Sequence, residues 1–340
     1  MPLPEHSLRV AIAGATSLRG KDLKYWLEEG GFPAGEIRLI DEEMAGTLTE
    51  VAGEPAIVQS VQEGSFEGLQ FVFFAGSAAF AVQHGPAADR AGASVIDMTG
   101  GLWAVRGARP WIPRLDALIS PPTPSALPND PCHTWVAPST PAILACSLAA
   151  GLAELSPVRL AIVFFQPVSE RGDEGITELE GQTIKLLSFQ RIPEQVFDTQ
   201  VAFNLASRWG AESRERLSDA RSTIAREVQR YLMGRISLPA VTLVQAPVFY
   251  GHAFSIWAEF KNSVSEETLT TRLTSAGFKV VPPDDPSPSN ITAAGGAQPL
   301  ITMPEPDGNV AHGYWLWGAA DNFRLASVNA TQIAERLLAS

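Results

Sequence analysis

The stretch LRVAIAGATSLRG, residues 8–20, constrains the fold more than any other. An apolar run of strand length turns at Gly14 and passes into KDLKYWLEEGG, where Leu23, Tyr25, Trp26 and Leu27 fit one side of a short helix. Strand, glycine turn and helix in direct succession open a parallel sheet, because parallel neighbours need a crossover and a helix supplies it. The pattern then repeats. EIRLIDEE reads as a second strand ending in three acids, FVFFAGS as a buried strand ending at Gly76 and Ser77, and ASVIDMTGG as another ending in a polar turn, with helical AAFAVQHGPAADRAG between them. An α/β fold follows, with a Rossmann-like, doubly wound parallel sheet over residues 1–139.

From Thr140 the texture changes. STPAILACSLAAGLAEL predicts an amphipathic helix, SPVRLAIVFFQPVS and AVTLVQAPVFYGHAFSIWAEF predict long strands, and LSDARSTIAREVQRYLM predicts a helix between them. A second, α+β domain with a large mixed sheet is expected over 140–318. PPDDPSPSNITAAGGAQPL, residues 282–300, reads as an exposed loop. DNFRLASVNATQIAERLL predicts a last helix, expected within 319–340 to complete the first domain.

Charge narrows the function classes. With 25 Lys and Arg against 37 Asp and Glu, the formal charge is −12, which opposes binding to a phosphate backbone, so nucleic acid is not an expected partner. No run has the length of a membrane span, and MPLPEHSLRV lacks the basic and apolar regions of a secretion signal, so the expected location is cytoplasmic and no membrane is expected as a partner. The two cysteines, Cys132 and Cys146, are too few for a disulfide framework, and the five scattered histidines give no metal-binding spacing. No metal is expected.

Several stretches, in order, resemble the aspartate-semialdehyde dehydrogenase family from end to end. GATSLRG resembles its GATGxVG cofactor turn, VSERGDEGITELEGQT its VSGAGxxGxxEL stretch, APVFYGHAFSIWAEF its RVPVxxGHxxxxxxEF strand, and ADNFRLASVNATQIAE its ADNLRxGAAxNAxQIAE terminus. The resemblance implies a homodimer built through the second domain's sheet. It also implies chemistry in which a Cys carries the acyl group, NADP exchanges hydride and a His manages protons. The family Cys lies in PNCST at a helix start, and the same alignment places Thr140 on it. A Thr hydroxyl needs a dedicated base and gives an unreactive ester, where a thiolate gives a reducible thioester. Ser139 or Thr140 reads more simply as an N-cap with Pro141 at the first helical position. Cys146 falls more than a turn into that helix and is expected to face packing, while Cys132, beside His133, precedes the helix in a Pro-rich loop.

Other implied positions divide into lost and kept. The arginine that grips the substrate carboxylate corresponds to Gln245, and the phosphate-binding arginine to Trp103, with Arg106 and Arg109 nearby at a different spacing. Gln166 matches the residue that orients the acyl intermediate, His252 the acid/base, and Glu227 with Arg230 the substrate-binding ExxK pair, three apart on one helix face. Each also has a structural reading: a strand-end amide, a core histidine, a surface ion pair.

In the cofactor turn the resemblance implies contacts from Gly14, Thr16, Ser17 and Leu18, with Ser17 at the middle glycine position, and from Gly76, Ser77 and Asn322 near the pyrophosphate and nicotinamide. Asp41, Glu42 and Glu43 end the second strand. A carboxylate there accepts from a ribose 2′-hydroxyl and repels a 2′-phosphate, favouring NAD over NADP, unless the three acids form only a solvated strand end. The expectation is a family member defective in the phosphorylating reaction and retained as an NAD- or small-ligand-binding dimer. Two alternatives stand beside it: an active NAD-dependent oxidoreductase using His252 on another substrate, and a non-catalytic partner in a heterodimer with an active homologue.

Overall fold

The computed structural model describes residues 8–121, 133–232 and 234–339. The chain divides into two compact units, Met1–Ser139 with Ala326–Ser340, and Thr140–Leu325.

The first unit opens with β1 (Leu8–Ala13), α1 (Leu18–Glu29) and β2 (Ala34–Ile40), then a small hairpin of β3 (Leu48–Val51) and β4 (Glu54–Ile57). β5 (Phe71–Phe74), α2 (Ala78–Arg90), β6 (Ser94–Asp97), β7 (Arg109–Pro110) and β8 (Thr134–Val136) follow. Six strands form one sheet in the order β2-β1-β5-β6-β8-β7, and every pairing in it is parallel. The central strands carry apolar side chains on both faces, as a sheet covered on both sides requires. Val10, Ile12 and Phe73 enter one core layer, while Ala11, Val72 and Phe74 enter the other.

On α1 the expected apolar side is narrower than its four candidates. Leu23 and Leu27 are buried, four apart, but Tyr25 is 47% exposed. Two residues along a helix is a turn of about 200°, which carries Tyr25 away from the side that the two leucines define.

The second unit contains α3 (Thr140–Leu152), β9 (Pro157–Gln166), α4 (Gly172–Leu187), α5 (Leu217–Leu232), β10 (Ala240–Gln245), β11 (His252–Phe260) and α6 (Glu266–Ser275). β12 (Lys279–Val281), β13 (Leu300–Thr302), β14 (Glu305–Pro306) and β15 (Gly313–Ala320) complete its sheet, and α7 (Asn322–Leu338) starts in this unit and ends in the other. The sheet is mixed, ordered β10-β9-β11-β15-β13-β12 with β14 on β15. Two expectations are corrected here. The run from Ala240 to Phe260 is two strands, broken at a turn where Gly251 takes φ +79°. The helix α3 is not amphipathic: every residue from Thr140 to Leu152 is buried. A helix apolar all round is one packed on all sides, and β9, α5 and α6 lie against it.

The loop over 282–300 is exposed at its start, but it is not merely a surface excursion. Asn290 donates from Nδ2 to the Tyr250 carbonyl at 2.8 Å and also to the carbonyl of Gly251, and the Pro288 carbonyl accepts from Trp317 Nε1 at 2.9 Å. The loop therefore fixes the turn that precedes His252.

Candidate active site

In the first unit the glycine turn is shaped by contact between two backbones. Gly14 has φ +90°, and a Cβ there would stand 2.2 Å from the Gly76 Cα, so no other residue fits. Gly20 is equally confined, since a Cβ would stand 2.2 Å from the Gly14 carbonyl oxygen. Ser17 differs: at φ −63° it needs no glycine. It caps α1, accepting from Gly20 N at 2.9 Å while its hydroxyl donates to the Ala75 carbonyl at 2.9 Å. Leu18 is the first residue of α1, and Ser77 caps α2 by accepting from Phe80 N at 3.1 Å. Two capped helix N-termini thus follow the two strand ends that meet at Gly14 and Gly76, the local geometry that places backbone N–H groups and helix dipoles toward an anion.

Asp41 is not a solvated strand end. It is buried, and its Oδ2 accepts from Thr16 N at 3.0 Å and Thr16 Oγ1 at 2.7 Å, which ties the glycine turn to the end of β2. Glu42 and Glu43 are exposed. Further along, Asp97 is buried and accepts from Thr99 N, Thr99 Oγ1 and Leu102 N at 2.6–2.8 Å, which folds the segment carrying Trp103 back on itself. Burial pushes the Asp97 carboxyl pKa above the ordinary value, against the lowering effect of those donors and of Arg19. Trp103 lies half-buried in the short 3-10 helix Gly101–Ala104, Arg106 is exposed, and the Arg109 guanidinium lies 5.4 Å from the centre of the Trp135 ring. Arg109 is thus engaged by an aromatic face.

In the second unit, strand register gathers three of the expected residues. Gln245 pairs with Gln166 at the ends of parallel β10 and β9, and β11 begins beside them at His252, because Ala253 pairs with Phe165. Alternation along the strands puts Gln166, Gln245 and His252 on the buried face, with Phe164 and Phe254. The opposite face carries Phe165, Trp257, Trp315 and Trp317, with ring centroids 5.5 Å apart for Phe165 and Trp317 and 4.8 Å for Trp257 and Trp315. Trp315 and Trp317 are 45% and 36% exposed.

The placements qualify several expected roles. Gln245 is fully buried and its amide is spent within the protein: Oε1 accepts from Trp209 Nε1 at 3.2 Å, and Nε2 donates to the carbonyls of Gln166 at 3.0 Å and Ala246 at 3.2 Å. It holds two strand ends together, and no donor is left for a substrate. Asn322 is likewise internal. Its Oδ1 accepts from Gly251 N at 2.9 Å, and its Nδ2 donates to Ser169 Oγ at 3.2 Å and Glu170 Oε1 at 2.9 Å. Those bonds engage its side-chain amide within the unit. Glu227 is buried while Arg230 is exposed, so the two ends of the expected pair face different surroundings. Three residues on a helix leave about 60° between side chains, enough to divide core from rim.

At the helix start, the Thr140 hydroxyl does not cap α3 as a side-chain acceptor would. It donates to the Asn322 carbonyl at 2.6 Å in a buried setting and ties the first residue of α3 to the first of α7. Cys146 is buried, and burial, with the Glu227 charge as a second cause, pushes its thiol pKa well above the usual range. Cys132 lies outside the described residues.

One residue at the centre escaped the sequence reading. Glu170 Oε1 lies 3.2 Å from His252 Nε2, and the same oxygen accepts from Asn322. His252 is fully buried and its Nδ1 has no hydrogen-bond partner among the described residues, whereas the Glu170 side chain is 26% exposed. The buried imidazole is thus in contact with a partly exposed carboxylate. The signal was present in VSERG, which sets Glu170 where the family stretch VSGAG has a glycine. Among the described residues no group of three or more His, Cys, Asp and Glu could hold a metal ion, and no helix is long and apolar enough to cross a membrane.

A parallel sheet with a glycine turn, joined to a mixed-sheet unit with a His at the head of a central strand, has the architecture of a two-domain, dinucleotide-dependent dehydrogenase. Residues 9–109 match the semialdehyde dehydrogenase NAD binding domain, and residues 150–325 match the semialdehyde dehydrogenase dimerisation domain. The chain belongs to the semialdehyde dehydrogenase family. It is 30% identical to a USG-1 protein homolog of Azotobacter vinelandii over 98% of both chains. Among solved structures, a probable aspartate-semialdehyde dehydrogenase from Pseudomonas aeruginosa is 30% identical with a TM-score of 0.84, and aspartate semialdehyde dehydrogenase II from Vibrio cholerae is 26% identical with a TM-score of 0.86. Each match covers 98% of this chain and 99% of the other. The family resemblance and the fold class drawn from the sequence both hold.

Proposed function

We propose that this family member binds a dinucleotide, as a homodimer, without performing the phosphorylating acyl-transfer reaction. One observation carries the reading: at the position aligned with the family nucleophile stands Thr140, whose hydroxyl donates to a backbone carbonyl, while Cys146 in the same helix is buried with its thiolate disfavoured. A hydroxyl held as a donor to a carbonyl is not held by a base, so its oxygen is not activated for attack. The Gln245 amide, committed to Trp209 and two carbonyls, supports the same reading because it replaces a charged anion grip with a closed structural bridge.

Binding of NAD in preference to NADP is supported by the buried Asp41 carboxylate at the end of β2, which retains accepting capacity beyond its bonds from Thr16 and Glu43 N and whose charge repels a 2′-phosphate. Self-association is supported by the aromatic outer face of the mixed sheet. When bound, the dinucleotide would supply a hydride acceptor or donor, and Gly14, Ser17 and Gly76 would shape its pyrophosphate cradle.

A second reading, an oxidoreductase acting without a covalent intermediate, is favoured by the contact of Glu170 with His252, which gives a proton a route at Nε2. Incubation with aspartate semialdehyde, phosphate and either cofactor, together with calorimetric titration of NAD and NADP, tests both. The expected result is NAD binding with no acyl-phosphate formed. Turnover at an enzymic rate that Thr140→Val abolishes overturns the first reading, and failure to bind either dinucleotide removes both.

A further inference from the structure

We propose that the cavity at the start of α5 binds a small polyanion of the phosphate-ester or pyrophosphate class. The cavity measures about 790 Å³ and lies among the segment around Trp209, the first turn of α5 and the edge strand β10, wholly within the second unit. Arg208, Arg216 and Arg221 line it, and among the described residues no carboxylate does. In a chain whose formal charge is −12, three exposed arginines lining one space, with no acid among its described lining residues, make a local concentration of positive charge.

The neighbouring acids Glu212, Glu215 and Asp219 form no ion pair with the cluster among the described residues. Glu215, next to Arg216 in sequence, pairs with Arg171 instead, and none of the three lining guanidinium groups forms an ion pair or hydrogen bond among the described residues. Unpaired guanidinium groups present planar donor forks suited to phosphate oxygens. The backbone adds to them. Leu217 and Ser218 are part of the wall and open a helix of sixteen residues, where Asp219 N and Ala220 N turn back to the Arg216 carbonyl and the first N–H groups do not. That end of the helix carries positive partial charge.

The wall is held in place. Trp209 is buried, donates to Gln245 and lies under the Arg171 guanidinium at 5.6 Å, so the cavity floor does not depend on a ligand for its form. Three arginines attract a multiply charged anion more strongly than a monovalent one, and a long polyanion such as nucleic acid is repelled by the rest of the surface. A molecule with two or more phosphoryl charges and a small body satisfies both limits.

Inorganic pyrophosphate is the probe, titrated into the full-length protein by calorimetry at low ionic strength, with succinate as a dicarboxylate of comparable size in a parallel arm. Binding should weaken by about tenfold or more in the Arg216→Gln, Arg221→Gln double variant, since each lost guanidinium removes charge-assisted bonds. Pyrophosphate should also slow hydrogen exchange over residues 207–222 of the unmodified protein, a measurement that needs no variant to fold. Equal affinity in variant and parent, absent protection over that segment, or no pyrophosphate binding at millimolar concentration each overturns the assignment. Succinate bound as tightly as pyrophosphate overturns the phosphate class.

Discussion

Replacing Gln245 tests whether its amide is structural or is held ready for a ligand. In Gln245→Leu the shape is roughly kept, but the Trp209 indole N–H loses its acceptor at 3.2 Å in a buried place, and the Ala246 carbonyl loses a donor. The Gln166 carbonyl is less affected, because Ala246 N also reaches it at 2.9 Å. One buried donor left unpaired costs about 1–3 kcal/mol, so a destabilisation near 2 kcal/mol is expected. With a urea m-value of about 3 kcal/mol/M, the midpoint falls by about 0.7 M. Gln245→Glu should be worse than Leu, because an ionised carboxylate would oppose the two carbonyl oxygens that Nε2 now serves. Urea titration followed by tryptophan fluorescence reads both variants. A midpoint for the Leu variant within error of the parent, or a Glu variant as stable as the parent, would refute the reasoning and return Gln245 to the pool of residues free to bind a substrate.

Two other outcomes follow from the titrating groups. Because burial raises the folded-state pKa of Asp97 above its unfolded value, the folded protein holds this proton more tightly, and the contribution of Asp97 to stability declines as pH rises from the unfolded value through the folded one. Denaturation midpoints measured across acid pH should show that declining component in the parent and lose it in Asp97→Asn, whatever the variant's absolute stability; an unchanged pH dependence contradicts the assignment. Cys146 should resist iodoacetamide in the native protein at mildly alkaline pH and react once urea exposes it, as read on its own peptide by mass spectrometry. Rapid native alkylation would restore a reactive thiol to this helix.

What the sequence made legible was local. Gly14 marks its turn because φ +90° and the approach of Gly76 leave space for no side chain, and this requirement is written in the residue type itself. The strand runs and the final helix were readable for the same reason, through apolar spacing. The site was legible only as a set of aligned positions. Glu170 and His252 are 82 residues apart, and Trp209 and Gln245 are 36 apart, so neither contact has a local pattern to announce it. The helix α3 misled because its small and apolar residues lie on every side, and only the surrounding elements show that all sides are covered. Glu170 stands out along the chain only as one departure from a glycine, and its meaning comes from the imidazole that the fold sets opposite it.

The two units differ in when the growing chain can complete them. Ala326, Ala330, Ile333 and Ala334 of α7 pack into the core that also holds Val10, Ile12 and Phe73, so the unit begun first at the ribosome lacks part of its interior until α7 is made. The unit from Thr140 to Leu325 is continuous and can close earlier. During synthesis the parallel sheet must therefore wait, with one face incompletely covered, for a helix encoded more than three hundred residues after its first strand.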